Sequence, residues 1–372
     1  MSLVSSRYTV NDSARYRMAR IGLNLLFLVP NQVGGTEYLT RNFINLLRND
    51  SANTYILFCN QENAPTFTFS AKNISKVVCS VRASNRIIRL LYEQFILPFQ
   101  VANANCTLLH SFGYTAPLFL TSSSIVTVHD ANWIDHPEDF TFFSRMMTHF
   151  LVSLACLKSK TIITDSDFSK LRLSTHLPWA KKKIKVVSPF VPSEVCSPPF
   201  EQLPKKLDGT IFALCVSAHY PHKQIPYLLK MWNQVHALQP TAKLVLVGQH
   251  GKDHPSVLKL IADQESVIYY PKVSFPLLKS LYHFAHVFIH PSIYEGFGYP
   301  VYEAGANNCP VIVGKKSLYP SRVASRFLEL TFDENQDAKQ IIPYLQLPRK
   351  SINIPLPAAN DSLKTLLQVY EK

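Results

Sequence analysis

Short apolar runs alternate with amphipathic stretches along almost the whole 372-residue chain, in two series divided by a proline-rich stretch. In the first series the apolar runs fall at 21–29, 55–59, 77–79, 125–128, 161–164 and 186–187. In the second they fall at 211–216, 244–247, 267–269, 287–289 and 311–313. Helix-period segments lie between them at 36–47, 85–97, 144–159, 224–238 and 277–284. Runs that are apolar at every position belong to strands buried on both faces, and alternation with helices makes those sheets parallel. Two such series predict an α/β chain of two doubly wound, Rossmann-like domains. The prolines at 189, 192, 198, 199 and 204 exclude regular structure between them. The expected organisation is an arm over 1–19, a first domain over 20–190, a linker over 191–209 and a second domain over 210–359.

Composition removes several function classes. A hydrophobic content of 47% with 17% charged residues suits a globular chain with sizeable cores. No apolar run approaches the ~18 residues that span a bilayer. The seven cysteines are scattered and form no Cys-x-x-Cys pair, which predicts reduced thiols and a cytoplasmic protein. The net charge of +13 favours anionic ligands such as nucleotide diphosphates, or an anionic membrane face. No zinc finger, RNP-like aromatic motif or basic zipper accompanies it, so no nucleic-acid partner is expected.

Glu295-Gly296-Phe297-Gly298-Tyr299-Pro300-Val301-Tyr302-Glu303 is the most informative segment for function. It follows a buried strand, and two of the chain's 11 glycines fall in it within three residues. Glycines there let backbone approach a ligand, and Pro300 suits the first turn of a helix that carries Glu303. Two acids then bracket a helix N-terminus, where amides are free to meet a phosphate. That arrangement fits a ligand with hydroxyls at both ends and phosphate between, such as a nucleotide sugar. An ordinary strand-to-helix turn with an acidic first turn is the plainer reading.

Weaker features point the same way. Gly34-Gly35 follows the first strand and opens a helix, as a phosphate loop or as a tight turn. Lys223, after Ser217-Ala218-His219-Tyr220-Pro221-His222, stands before a helix as a mobile cation for a diphosphate or as a solvated lysine. His129-Asp130 ends a strand of the first domain, facing the cleft between domains or merely capping a turn. No His, Asp, Glu or Cys set has metal-ligand spacing. Arg82, Arg86 and Arg89 share one face of an expected helix rich in apolar residues. That face is either the solvated edge of a core helix or a surface resting on anionic lipid.

Taken in order, Gly34-Gly35-Thr36-Glu37, Thr127-Val128-His129-Asp130, Pro221-His222-Lys223, His290-Pro291-Ser292 and Glu295-x7-Glu303 resemble the retaining GT-B glycosyltransferases of family 4 (group 1). The resemblance covers about residues 20–315, and Tyr92-Glu93-Gln94 with Leu97-Pro98 looks like the bacterial polysaccharide mannosyltransferases. It implies two domains facing a cleft, with a helix in 360–372 completing the first. It also implies a sugar moved from a GDP- or UDP-linked donor to a glycan or lipid-linked acceptor, with retention and without a metal or other cofactor. By resemblance His129 and Glu295 serve catalysis at the transferred sugar. Ser217, His219, Lys223, Gly34 and Gly35 meet the diphosphate, and Val273 meets the base. Gly296, Phe297 and Gly298 grip the sugar, and Glu303 binds the ribose. The arginine that the family places shortly before the lysine is absent, and either His219 or another basic group is expected to substitute, or the enzyme to be weak. Its absence also supports the alternative, a catalytically inactive module of the same fold that acts as a binding or regulatory partner.

Overall fold

The computed structural model describes residues 19–30, 34–68, 71–346 and 348–371. All of the arm expected over 1–19 except Ala19 therefore lies outside the described residues. The first sheet contains β1 (Arg20–Asn24), β2 (Thr54–Cys59), β3 (Ile74–Val78), β4 (Leu108–Ser111), β5 (Ser123–Thr127), β6 (Thr161–Thr164) and β7 (Ile184–Val186). The second contains β8 (Phe212–Val216), β9 (Lys243–Val247), β10 (Val267–Tyr270), β11 (Val287–His290), β12 (Val311–Val313) and β13 (Leu328–Glu329). Both are wholly parallel, in the orders 3-2-1-4-5-6-7 and 10-9-8-11-12-13. Each order reverses direction once, beside β1 in the first sheet and beside β8 in the second. Chain crossovers there leave a crevice at the carboxyl ends of the strands.

The helices are α1 (Gly35–Leu47), α2 (Arg86–Phe95), α3 (Leu97–Asn103), α4 (Asn132–Asp135), α5 (Phe142–Lys158), α6 (Asp167–His176), α7 (Ile225–Leu238), α8 (His254–Ala262), α9 (Phe275–Phe284), α10 (Tyr299–Ala306), α11 (Ser321–Ala324), α12 (Glu334–Ile341) and α13 (Ala359–Tyr370). Cores lie on the faces of the sheets, as the all-apolar strands require; Trp232 of α7 and Trp133 of α4 are among the largest fully buried side chains. The last helix returns to the first domain. Leu366 and Val369 are buried, and the Tyr370 hydroxyl lies 2.8 Å from His110 Nδ1 on β4. All seven cysteines are unpaired, and six are buried.

The sequence pattern differs from the structure in four places, one of them the two-residue edge strand β13, which it does not contain. The apolar run at 21–29 is a strand only to Asn24, whose side-chain oxygen accepts the Leu26 N–H and turns the chain. β4 is absent from the sequence pattern because half of it, His110 and Ser111, is polar, yet both are buried. The expected arginine face does not form. Asn85 caps α2 by accepting the Ile88 N–H, so Arg82 precedes the helix. Arg89 is buried and bound to Glu93, 3.2 Å away and itself buried, which leaves Arg82 and Arg86 exposed. What α2 presents outward is apolar: Ile87, Ile88, Leu91 and Phe95 are all more than half exposed, and Phe99 of α3 continues the stripe.

Candidate active site

Lys223 follows β8, and Glu295 follows β11, its neighbour in the sheet. Both therefore emerge at the switch point of the second sheet. Glu295 Oε1 accepts from Lys223 Nζ at 2.6 Å and lies 2.5 Å from His290 Nε2, at the end of β11. Burial alone would push the Glu295 carboxyl up; the Lys223 ammonium and His290 outweigh it and hold it well below the usual carboxylate range. Glu295 is thus an anion at any physiological pH, clamped so that its free edge keeps a fixed direction.

Glu303 is one turn into α10 and is also buried, but among the described residues no cation faces it. Burial raises its pKa from 4.5 to about 7, and the neighbouring Tyr282 and Tyr38 hydroxyls offset only part of that rise. Tyr38 belongs to α1 in the first domain, and its ring stands edge-on to Tyr299 with centroids 4.9 Å apart. Glu303 is therefore buried among tyrosines that come from both domains.

Between the two acids the backbone is shaped by glycine. Gly298 has φ +84° and starts α10 with no side chain over the helix's first amides. A Cβ there would meet the Tyr319 ring at 3.0 Å. The Gly296 carbonyl accepts from Ser166 Oγ at 2.5 Å and Ser169 Oγ at 3.1 Å, which pins the loop to the start of α6 in the first domain. Phe297 stacks on Tyr302, centroids 4.4 Å apart. From the opposite side, Gly34 (φ +61°) caps α1, Gly35 is that helix's first residue, and a Cβ on either would meet nothing within 4 Å. The loop between Ser217 and Lys223 is held from below: a Cβ on Gly248 would meet the Ser217 carbonyl at 1.9 Å. Ser217 itself is turned to its own chain, its Oγ donating to the Ala218 carbonyl. Val273 lies between β10 and α9, half-buried against the core.

Two site residues sit differently from the expectation. His219 is fully buried, its Nδ1 lies 2.8 Å from His254 Nδ1, and burial with two neighbouring histidines lowers its pKa to about 4. A neutral, enclosed ring cannot replace the missing arginine as a phosphate cation. His129 is buried with both ring nitrogens engaged, Nδ1 with Asp165 at 2.9 Å and Nε2 with the Phe112 carbonyl at 2.9 Å. Burial opposes its charge, but Asp165 and the Phe112 carbonyl outweigh burial and raise its pKa. In this arrangement the imidazole supplies positive charge behind the cleft wall and has no nitrogen left for a sugar hydroxyl.

Sequence reasoning missed Asp165, Tyr38, Tyr282 and the serines on Gly296. Asp165 lies 36 residues from His129 and Ser166 lies 130 from Gly296, so no local spacing could signal them. A second inter-domain tie was also missed. Asp139, just before α5, is bound to His222, the residue before Lys223, and Tyr294 Oη accepts the Ala131 N–H at 2.9 Å. Among the described residues, no three or more His, Cys, Asp or Glu side chains stand together to hold a metal ion.

Two parallel-sheet Rossmann-like domains, face to face across a cleft with this loop between them, constitute the GT-B glycosyltransferase fold. Residues 200–347 match the family model described as "Glycosyl transferases group 1", so the second half of the chain carries that domain. Among curated proteins, the chain is 25% identical over 340 residues to the O-antigen chain mannosyltransferase RfbU of Salmonella typhimurium, covering 88% of this chain and 91% of that protein. Among solved structures it is similar to sucrose-phosphate synthase of Thermosynechococcus elongatus (TM-score 0.68, 16% identity, 95% of each chain). It is also similar to Anabaena HepE in complex with UDP and glucose (TM-score 0.65, 16% identity, 95% of each chain).

Proposed function

We propose that the protein is a retaining glycosyltransferase of family 4 that moves a sugar, mannose by analogy with its curated relative, from a GDP- or UDP-linked donor. The acceptor is a glycan or a lipid-linked saccharide in polysaccharide assembly. The observation that carries this reading is the convergence of Lys223, Glu295, Glu303 and the Gly296–Gly298 backbone at one switch point. Glu303 would accept both ribose hydroxyls. Lys223 and the uncapped start of α10 would face the diphosphate, where negative charge grows as the bond to the sugar breaks. Glu295 would accept from hydroxyls of the transferred sugar. The C1–phosphate bond breaks, a C1–oxygen bond to the acceptor forms on the same face, and the acceptor proton passes to the leaving phosphate oxygen. The chain's own groups hold and neutralise, and neither a metal nor another cofactor enters the scheme.

A thermal-shift screen against GDP-, UDP- and ADP-sugars, followed by a donor-hydrolysis assay, tests the reading. A ligand present at about 100 times its Kd stabilises by about 2.7 kcal/mol. No shift and no hydrolysis with any donor would favour the inactive binding module.

Cytoplasmic membrane association belongs to the same proposal, with a different contact from the arginine face. The stripe Ile88, Leu91, Phe95 and Phe99 runs along α2 and α3 toward solvent, with Arg82 and Arg86 exposed near its start. It suits shallow burial in an anionic leaflet. Sedimentation with anionic liposomes should survive high salt and be lost in the Ile88→Glu/Leu91→Glu variant. Equal pelleting of the variant would refute this face.

A further inference from the structure

Two anions compete for Lys223. In this structure its ammonium sits on Glu295 Oε1, yet the diphosphate of a bound nucleotide sugar would draw the same cation. Substrate binding therefore loosens the clamp on Glu295 at the moment the clamp is needed. The second group on that oxygen is not free to leave. His290 is the last residue of β11, in register with Val313 of β12, and its side chain is 2% exposed. Its ring lies nearly parallel to that of Phe288, at 16° with centroids 6.0 Å apart. Lys223, by contrast, ends the single turn Pro221–Lys223, ahead of a left-handed Gln224 (φ +54°), and its side chain is 17% exposed. One hydrogen-bond donor is thus fixed by the sheet, and the other swings on a four-carbon stem. A carboxylate only accepts, so His290 Nε2 donates to Glu295. Nδ1 is buried with no hydrogen-bond partner, so among the described residues Glu295 is the one polar side chain this ring serves. Both donors use Oε1, and among the described residues none uses Oε2.

We infer that His290 is the positioning residue for Glu295: it keeps Oε1 in place when the diphosphate takes Lys223, so that Oε2 stays aimed at a hydroxyl of the transferred sugar. The inference deepens the glycosyltransferase reading and rests on it for the roles of Lys223 and Glu295. It also divides the labour between the two hydrogen-bond donors. Lys223 acts on nucleotide affinity, whereas His290 acts on turnover, because its hold matters once Lys223 has left.

The test is a double-mutant cycle in a donor-hydrolysis assay, on the full chain with the nucleotide sugar that gives the largest thermal shift. His290→Phe keeps a ring but removes the N–H. It should lower kcat about tenfold or more and leave the Kd of the nucleoside diphosphate within about twofold. His290→Gln, whose amide donates from nearly the position of Nε2, should bring kcat back to within about threefold of the wild type. In a Glu295→Ala background, His290→Phe should change kcat by less than about twofold, since nothing is left to position. Undiminished kcat in His290→Phe overturns the inference. The same loss with and without Glu295 also overturns it, since His290 would then serve only the core, as does an equal loss of nucleotide affinity. If His290→Phe does not fold, His290→Asn, whose shorter amide stops short of Glu295, takes its place in the cycle. A wild type that hydrolyses no donor overturns the transferase reading and this inference together, whereas normal wild-type turnover with an indifferent His290→Phe overturns the inference alone.

Discussion

Replacing Glu303 with Gln should make the protein more stable and less able to bind its donor, and pH separates the two effects. Burial raises the Glu303 pKa from 4.5 to about 7. The folded state therefore holds a proton that the unfolded state releases, and stability falls as pH rises between those values. At about 1.36 kcal/mol per pH unit, the full loss is roughly 3 kcal/mol, of which about 2 is incurred above pH 5.5. Gln cannot ionise, so Glu303→Gln escapes this loss. Its melting temperature should match that of the wild type most closely near pH 5.5. The gap should widen by roughly 3 to 6 °C at pH 8, the smaller figure if both domains melt together and the larger if the second melts alone. Donor binding has the opposite sign. A carboxylate that accepts two ribose hydroxyls must be ionised, so wild-type affinity for a nucleotide sugar should climb almost tenfold per pH unit up to about 7 and then level off. Glu303→Gln should bind weakly, with no such slope. Calorimetry from pH 5.5 to 8.5 gives both curves. A wild-type affinity that is flat below pH 7, or a slope that persists in the variant, refutes the assignment of Glu303 to the ribose.

Three further outcomes are expected. Glu295→Gln should lower the turnover number on the order of a hundredfold without weakening nucleoside diphosphate binding, because Lys223 loses its neutralising partner; comparing kcat with the product Kd decides it. Gly298→Ala places a side chain at φ +84° against Tyr319 and should cost about 1–2 kcal/mol of stability together with donor affinity, measured by denaturant unfolding and thermal shift. Activity should survive excess EDTA, and loss that Mg²⁺ or Mn²⁺ restores would refute a metal-free reaction.

What was legible in the sequence is what repeats locally. Ten of the eleven apolar runs lie on strands within a residue or two, because strands covered on both faces leave a continuous apolar imprint. Only the run at 21–29 runs well beyond its strand, and β4 left no imprint because its polar half is satisfied across the fold, His110 by Thr127 and Tyr370, and Ser111 by Asn24. The Glu295–Glu303 segment was legible because its glycines, proline and acids are adjacent in the chain. The states of those acids were not. Glu295 is an anion because of a lysine 72 residues away, and Glu303 is not fully one because it is buried with no cation beside it among the described residues. The arginine helix misled for a local reason: Asn85 caps α2, so the helix begins at Arg86, four residues after Arg82.

The contact between Tyr370 and His110 spans 260 residues, and that span bears on how the chain is made. The first sheet is synthesised early, yet the surface that α13 covers stays bare until the second domain and the returning segment have left the ribosome. At 5–20 residues per second, that interval is on the order of ten seconds or more. During it the first domain lacks Leu366 and Val369, which are buried in its finished core, and His110 lacks its Tyr370 partner.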